Sequence, residues 1–157
     1  MQIRKMYLPS GIPCDTTRRF VEDKPESITI HYTGPLPMQT PDQVRKYWID
    51  CKGEASAHYI IKDSDCLQCW PTYKVAWHAG NAEGNATSLG IEVIPCNKEG
   101  TFSQSSIDTL RELIKYLRGT IARALPLKRH FDWSGKQCPA WYVDEERWKS
   151  LKEQIGG

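Results

Sequence analysis

Ser27-Ile28-Thr29-Ile30-His31-Tyr32, set between Lys24-Pro25 and Gly34-Pro35, decides the fold. Apolar residues recur at every second position, the period of a strand with one face buried. Ile28, Ile30 and Tyr32 share the face that needs a core, and Thr29 and His31 share the other. Downstream, Leu89-Gly90-Ile91-Glu92-Val93-Ile94 reads as a second short strand, stopped by Pro95. Between them, His58-Tyr59-Ile60-Ile61, a turn at Lys62-Asp63-Ser64-Asp65, and Cys66 to Trp70 read as a hairpin. Thr40-Pro41-Asp42-Gln43 carries an N-cap, a proline at the first helical position and a capping-box glutamine, so a helix of about ten residues follows, with Val44, Tyr47 and Trp48 on it. Ala79 through Ser88 is small and polar, which reads as a surface loop. Ile107, Leu110, Leu113, Ile114, Leu117 and Ile121 form one stripe of a long helix from Ser103 or Ser105 to Ala124, ended by Leu125-Pro126. A final helix carries Trp148, Leu151 and Ile155, capped by Asp144 and closed at Gly156-Gly157. Strands and helices mix without strict βαβ alternation. The expected architecture is therefore α/β: a single domain with a central mixed β-sheet flanked by helices.

The chain's 157 residues suit one domain, and 39% hydrophobic with 25% charged residues excludes disordered and collagen-like classes. A net charge of +2 is too balanced for a nucleic-acid footprint, so no nucleic-acid partner is expected. No apolar run approaches the roughly 20 residues that span a bilayer, and no membrane insertion is expected. Pro9, Gly11 and Pro13 interrupt the first residues, so the expectation is synthesis in the cytoplasm without a signal peptide. The six cysteines are scattered in a chain that can fold on its core, and most are expected as free thiols.

Arg129-His130-Phe131-Asp132-Trp133-Ser134-Gly135-Lys136-Gln137-Cys138-Pro139 puts a histidine, a lysine and a cysteine into one loop. Imidazole and thiolate are what Zn²⁺ prefers, and a catalytic zinc keeps three protein ligands. His130 and Cys138 supply two, and His31, on the less apolar face of its strand, is the best candidate for the third. The same residues also fit a loop histidine and an ordinary buried thiol. Glu92 is an ionisable group in apolar company, which needs a cation, Lys136 or a solvent-exposed sheet edge. On pattern alone the exposed edge is the simpler reading. Cys66-Leu67-Gln68-Cys69 has metal-knuckle spacing, but residues three apart on a strand point to opposite faces and no second such pair exists. His58 reads as a structural histidine, and His78, opening the polar loop, as a candidate for substrate contact.

Ile30-His31-Tyr32-Thr33, Ser56-Ala57-His58-Tyr59-Ile60-Ile61, Trp77-His78-Ala79-Gly80-Asn81, Ser88-Leu89-Gly90-Ile91-Glu92 and Arg129-His130 through Lys136-Gln137-Cys138-Pro139, in this order, resemble the type 2 N-acetylmuramoyl-L-alanine amidases. That family shares its fold with the peptidoglycan recognition proteins, and the similar branch is the catalytic domain of Gram-positive phage endolysins and autolysins. The resemblance spans about Ile28 to Pro139. It implies a zinc site of His31, His130 and Cys138, with Glu92 and Lys136 as the catalytic pair. Some relatives use a tyrosine just before the position of His58; Ala57 stands there in this chain, which shifts the acid/base role onto Glu92.

The implied activity is zinc-dependent hydrolysis of the amide between the lactyl group of N-acetylmuramic acid and L-alanine in bacterial peptidoglycan. Tyr32, Trp77 and His78 are the expected substrate contacts. The implied partner is peptidoglycan at the cell wall, reached during lysis, with a separate wall-binding domain following residue 157. Two other classes fit the same residues: a module that binds peptidoglycan without cutting it, and a cysteine hydrolase with Cys138 as nucleophile.

Overall fold

The strand periods and helix stripes of the sequence close into a six-stranded sheet in a computed structural model, which describes residues 2–12, 17–35, 40–50 and 54–157. The strands are β1 (Ile3–Lys5), β2 (Ser27–Tyr32), β3 (Tyr59–Lys62), β4 (Asp65–Gln68), β5 (Ser88–Val93) and β6 (Leu127–Arg129). The helices are α1 (Pro41–Asp50), α2 (Ala82–Thr87), α3 (Gln104–Ile121), α4 (His130–Ser134) and α5 (Glu145–Ile155). The sheet runs β1-β4-β3-β5-β2-β6, parallel throughout except for the β3–β4 hairpin. This is the mixed sheet the pattern called for.

Period 2 divides the sheet between two cores. On one face Ile28, Ile30, Ile61, Leu89, Ile91 and Val93 pack against α3 and α5. The α3 stripe buries Leu110, Leu113, Ile114 and Leu117 almost completely, each contributing about 1.5–3 kcal/mol by leaving water. On the other face Ile60, Leu67 and Ile94 pack against Val44 and Trp48 of α1. Arg4 of β1 fastens that helix by bonding Asp65 on β4 and Asp42 on α1. Cys66 joins the first core and Cys69 the second, so their sulfurs diverge as the strand geometry required. Both are buried free thiols, pushed up to about 12 by burial. Cys14 and Cys51 lie outside the described residues.

Three stretches depart from the sequence reading. The segment read as a loop from Ala79 to Ser88 contains α2, whose cap is the Asn81 side chain accepting from the Gly84 N–H at 3.0 Å. Six residues with no apolar stripe carry no helical period, and this helix is held instead by Gly84 lying against Ala79 and Trp133. His130 is not in a loop but opens α4, directly after β6. The α3 helix ends before Pro126 acts, at Ala122, which adopts a left-handed conformation with φ 55°.

Candidate active site

Strands β5, β2 and β6 lie side by side and parallel, so their carboxyl ends form one rim, the place where open α/β sheets bind ligands. His31 is the penultimate residue of β2 and pairs in register with Glu92, penultimate in β5. Both point away from the α3 core, on the face carrying Ile60. His130 follows the last residue of β6. The chain then makes α4 and returns Cys138 beneath it, where the Phe131 N–H donates to the Cys138 carbonyl at 2.9 Å. Arg129 locks this turn, its guanidinium bonding Asp132, Glu145 and the carbonyls of Tyr142 and Val143.

The result is a convergence of donors. His31 Nδ1 is 3.1 Å from His130 Nδ1 and 3.8 Å from Cys138 Sγ. Among the described residues these three side chains bring their possible ligand atoms within 4.8 Å of one another, and all three are buried. Burial is the main cause of every shift here. It holds His31 well below the usual imidazole range, lowers His130 to about 4 and pushes the Cys138 thiol up to about 12. Two neutral imidazoles and a buried thiol form a set that suits a thiophilic divalent cation, around which tetrahedral bonds of about 2.0–2.1 Å to nitrogen separate donors by roughly 3.3 Å. The residues present fit such an ion.

Glu92 is no exposed edge residue. β5 is interior to the sheet, with His31 on one side of Glu92 and Ile60 on the other. Its Oε2 is buried without a hydrogen-bond partner. Burial raises the carboxyl to about 8, and the Lys136 ammonium pulls the other way. Lys136 is exposed on the loop between α4 and Cys138. These groups line a small pocket of about 90 Å³ with Trp77, adjoining a cleft of about 380 Å³ between Tyr32, Thr33, Tyr47, Trp48, Glu92 and Lys136. A larger depression of about 560 Å³ lies on α3, across the sheet from His31, and presents no comparable set of donors.

Of the expected substrate contacts, Tyr32 is half-buried on the rim and Trp77 is 43% exposed at the pocket mouth. His78 also lines that pocket, at its inner wall. It is 7% exposed, lies behind His31 and has both ring nitrogens engaged, Nδ1 with His31 Nε2 at 3.0 Å and Nε2 with the Ser88 carbonyl at 2.9 Å. The sequence reading missed Tyr47 as part of the cleft. Its signal was position: Val44 and Trp48 mark the buried stripe of α1, and Tyr47, 64% exposed, sits just off it.

The family model for N-acetylmuramoyl-L-alanine amidase matches residues 22–141. The chain belongs to this amidase family. Two amidase relatives from Bacillus subtilis strain 168 are XlyA, 32% identical over 85% of this chain, and XlyB, 31% identical over 83%. The chain spans less than half the length of either, 45% and 42%. The solved catalytic domain of XlyA superposes with a TM-score of 0.83 at 28% identity, covering 99% of this chain and all of that one. The amidase fold also matches PlyL, with a TM-score of 0.80 at 26% identity over 99% of this chain and 97% of that one.

Proposed function

We propose that the chain is the catalytic domain of a zinc amidase that cuts the bond between the lactyl carbonyl of N-acetylmuramic acid and L-alanine in bacterial peptidoglycan. The observation that carries this reading is the meeting of His31 Nδ1, His130 Nδ1 and Cys138 Sγ beside the buried Glu92 carboxyl. These three residues would hold the ion. A zinc ion there supplies Lewis acidity, lowering the pKa of water from 15.7 toward about 7 and polarising a carbonyl.

The remaining chemistry belongs to the side chains. Glu92, whose ionised form the nearby Lys136 ammonium favours and a bound cation would favour further, serves as the base that takes the proton from the attacking water. It then delivers that proton to the departing alanine nitrogen, so the amide leaves as a neutral amine. Lys136, exposed on the loop before Cys138, stabilises the negative charge that grows on the carbonyl oxygen. Tyr32 and Trp77 offer flat apolar faces to the glycan or stem peptide at the mouth. The domain acts at the cell wall and works with a separate wall-binding domain.

Digestion of purified Gram-positive peptidoglycan tests the reading. New L-alanine amino termini without new reducing sugar ends, lost with a chelator and restored by Zn²⁺, are expected. Protein that pellets on the wall and releases neither product would make this a binding module, and activity that survives chelation would point to a thiol hydrolase.

A further inference from the structure

We propose that His78 is a positioning residue that fixes which nitrogen of His31 carries the proton, and so prepares His31 Nδ1 as a metal ligand. This rests on the zinc reading above and adds a role to a residue outside the ligand set.

The argument starts from an atom that cannot donate. The Ser88 carbonyl only accepts, so His78 Nε2, 2.9 Å away, carries a hydrogen. In a neutral imidazole the other nitrogen is then an acceptor, so His78 Nδ1 presents a lone pair. It faces His31 Nε2 at 3.0 Å, and His31 Nε2 must therefore be the donor. His31 Nδ1 is left with its lone pair aimed at the point where His130 Nδ1 and Cys138 Sγ converge. A backbone carbonyl on β5 thus sets the tautomer of a residue on β2 through one intervening ring.

The surroundings are built for that ring. The His78 amide and the next one both donate to Asn85 Oδ1, at 2.9 and 2.8 Å, pinning the backbone that carries it. Gly90 of β5 leaves the space it occupies: a Cβ there would lie 2.6 Å from His78 Cγ. His58 stands edge-on to it, with its own nitrogens taken by the Lys74 carbonyl and the Gly90 N–H. Partners of this kind behind a ligand histidine typically change metal affinity by 10–100-fold when removed.

Two measurements on the whole chain decide it, neither needing substrate. Long-range ¹H–¹⁵N correlation spectra of the metal-free protein report which His31 nitrogen is protonated, and competition with a chromogenic chelator reports zinc affinity. The expected results are a proton on His31 Nε2, a 10–100-fold loss of affinity in His78→Phe, and recovery to within about fivefold of wild type in His78→Asn, whose Oδ1 stands where Nδ1 stood. A wild-type proton on His31 Nδ1, or a folded His78→Phe that binds zinc as tightly as wild type, overturns the proposal. Should His78→Phe not fold, the wild-type spectrum decides by the same criterion. Failure of the wild-type chain to bind zinc would overturn the metal reading and this role together; zinc binding without wall digestion would overturn only the amidase activity.

Discussion

Glu92 and Lys136 occupy opposite electrostatic situations a short way apart. The carboxyl is enclosed between Ile60 and His31 on a central strand, whereas the ammonium is out on a loop. Replacing Glu92 by Gln keeps the shape and removes the proposed base, so wall hydrolysis should fall by about 10²–10⁴-fold while the melting temperature holds or rises, since a buried ionisable group is lost. Lys136→Met should lower turnover by about 10²–10³-fold with zinc affinity nearly unchanged. Parallel turbidity assays, melts and chelator competitions check both. A Glu92→Gln enzyme that clears walls at the wild-type rate would remove Glu92 from the mechanism.

At the scale of elements, the short helix α2 shows what a sequence pattern can and cannot carry. Gly84→Ala would put a methyl 2.7 Å from Ala79 Cβ and 2.8 Å from Trp133 Cδ2, and should destabilise by about 1–3 kcal/mol in urea melts. The α5 cap gives a milder case: Asp144→Ala loses the bond accepted from the Arg147 N–H and should cost about 1 kcal/mol. The long elements were legible because α3 and α5 are half-buried and their stripes repeat with the helical period, and because β2 alternates between two environments. The three-residue strands β1 and β6 and the helix α2 are too short to show a period; pairing with neighbours defines them. In the site, His31, His130 and Cys138 were legible by residue type and by the resemblance. The placement of His78 was not, because the space left by Gly90 and the Ser88 carbonyl exist only once β5 is laid beside β2.

For the whole molecule, the buried histidines tie stability to acidity. His58 is held down to about 3 by burial and His78 to about 4, against 6.5 in an open chain. The unfolded chain therefore binds more protons than the folded one between those values, and stability rises with pH across that window. Metal-free protein should lose the stability tied to these two histidines progressively as the pH falls from about 6.5 toward 4. Glu92 partly offsets this loss, because its carboxyl, raised to about 8, favours the folded state as the pH falls from there, and urea titrations at several pH values would reveal the net trend. A flat profile over that range would mean that His58 and His78 can be protonated without unfolding.

The chemistry-bearing residues sit on or just past the carboxyl ends of three adjacent parallel strands, with the segments after Tyr32, Val93 and Arg129 rising beyond them. That arrangement fixes the stretch from His130 to Cys138, which carries two of the three donors, and leaves the stretch after Tyr32, which carries none of them, free to diversify. Sheet register determines the distance from His31 to Glu92, and a segment that begins after the strand has ended can change length or composition without altering it. Such a domain is therefore a practical chassis for engineering: exchanging the stretch from Thr33 to Tyr47, which contributes Thr33 and Tyr47 to the cleft, between two amidases should shift which walls are cleared while each recipient keeps its own zinc affinity.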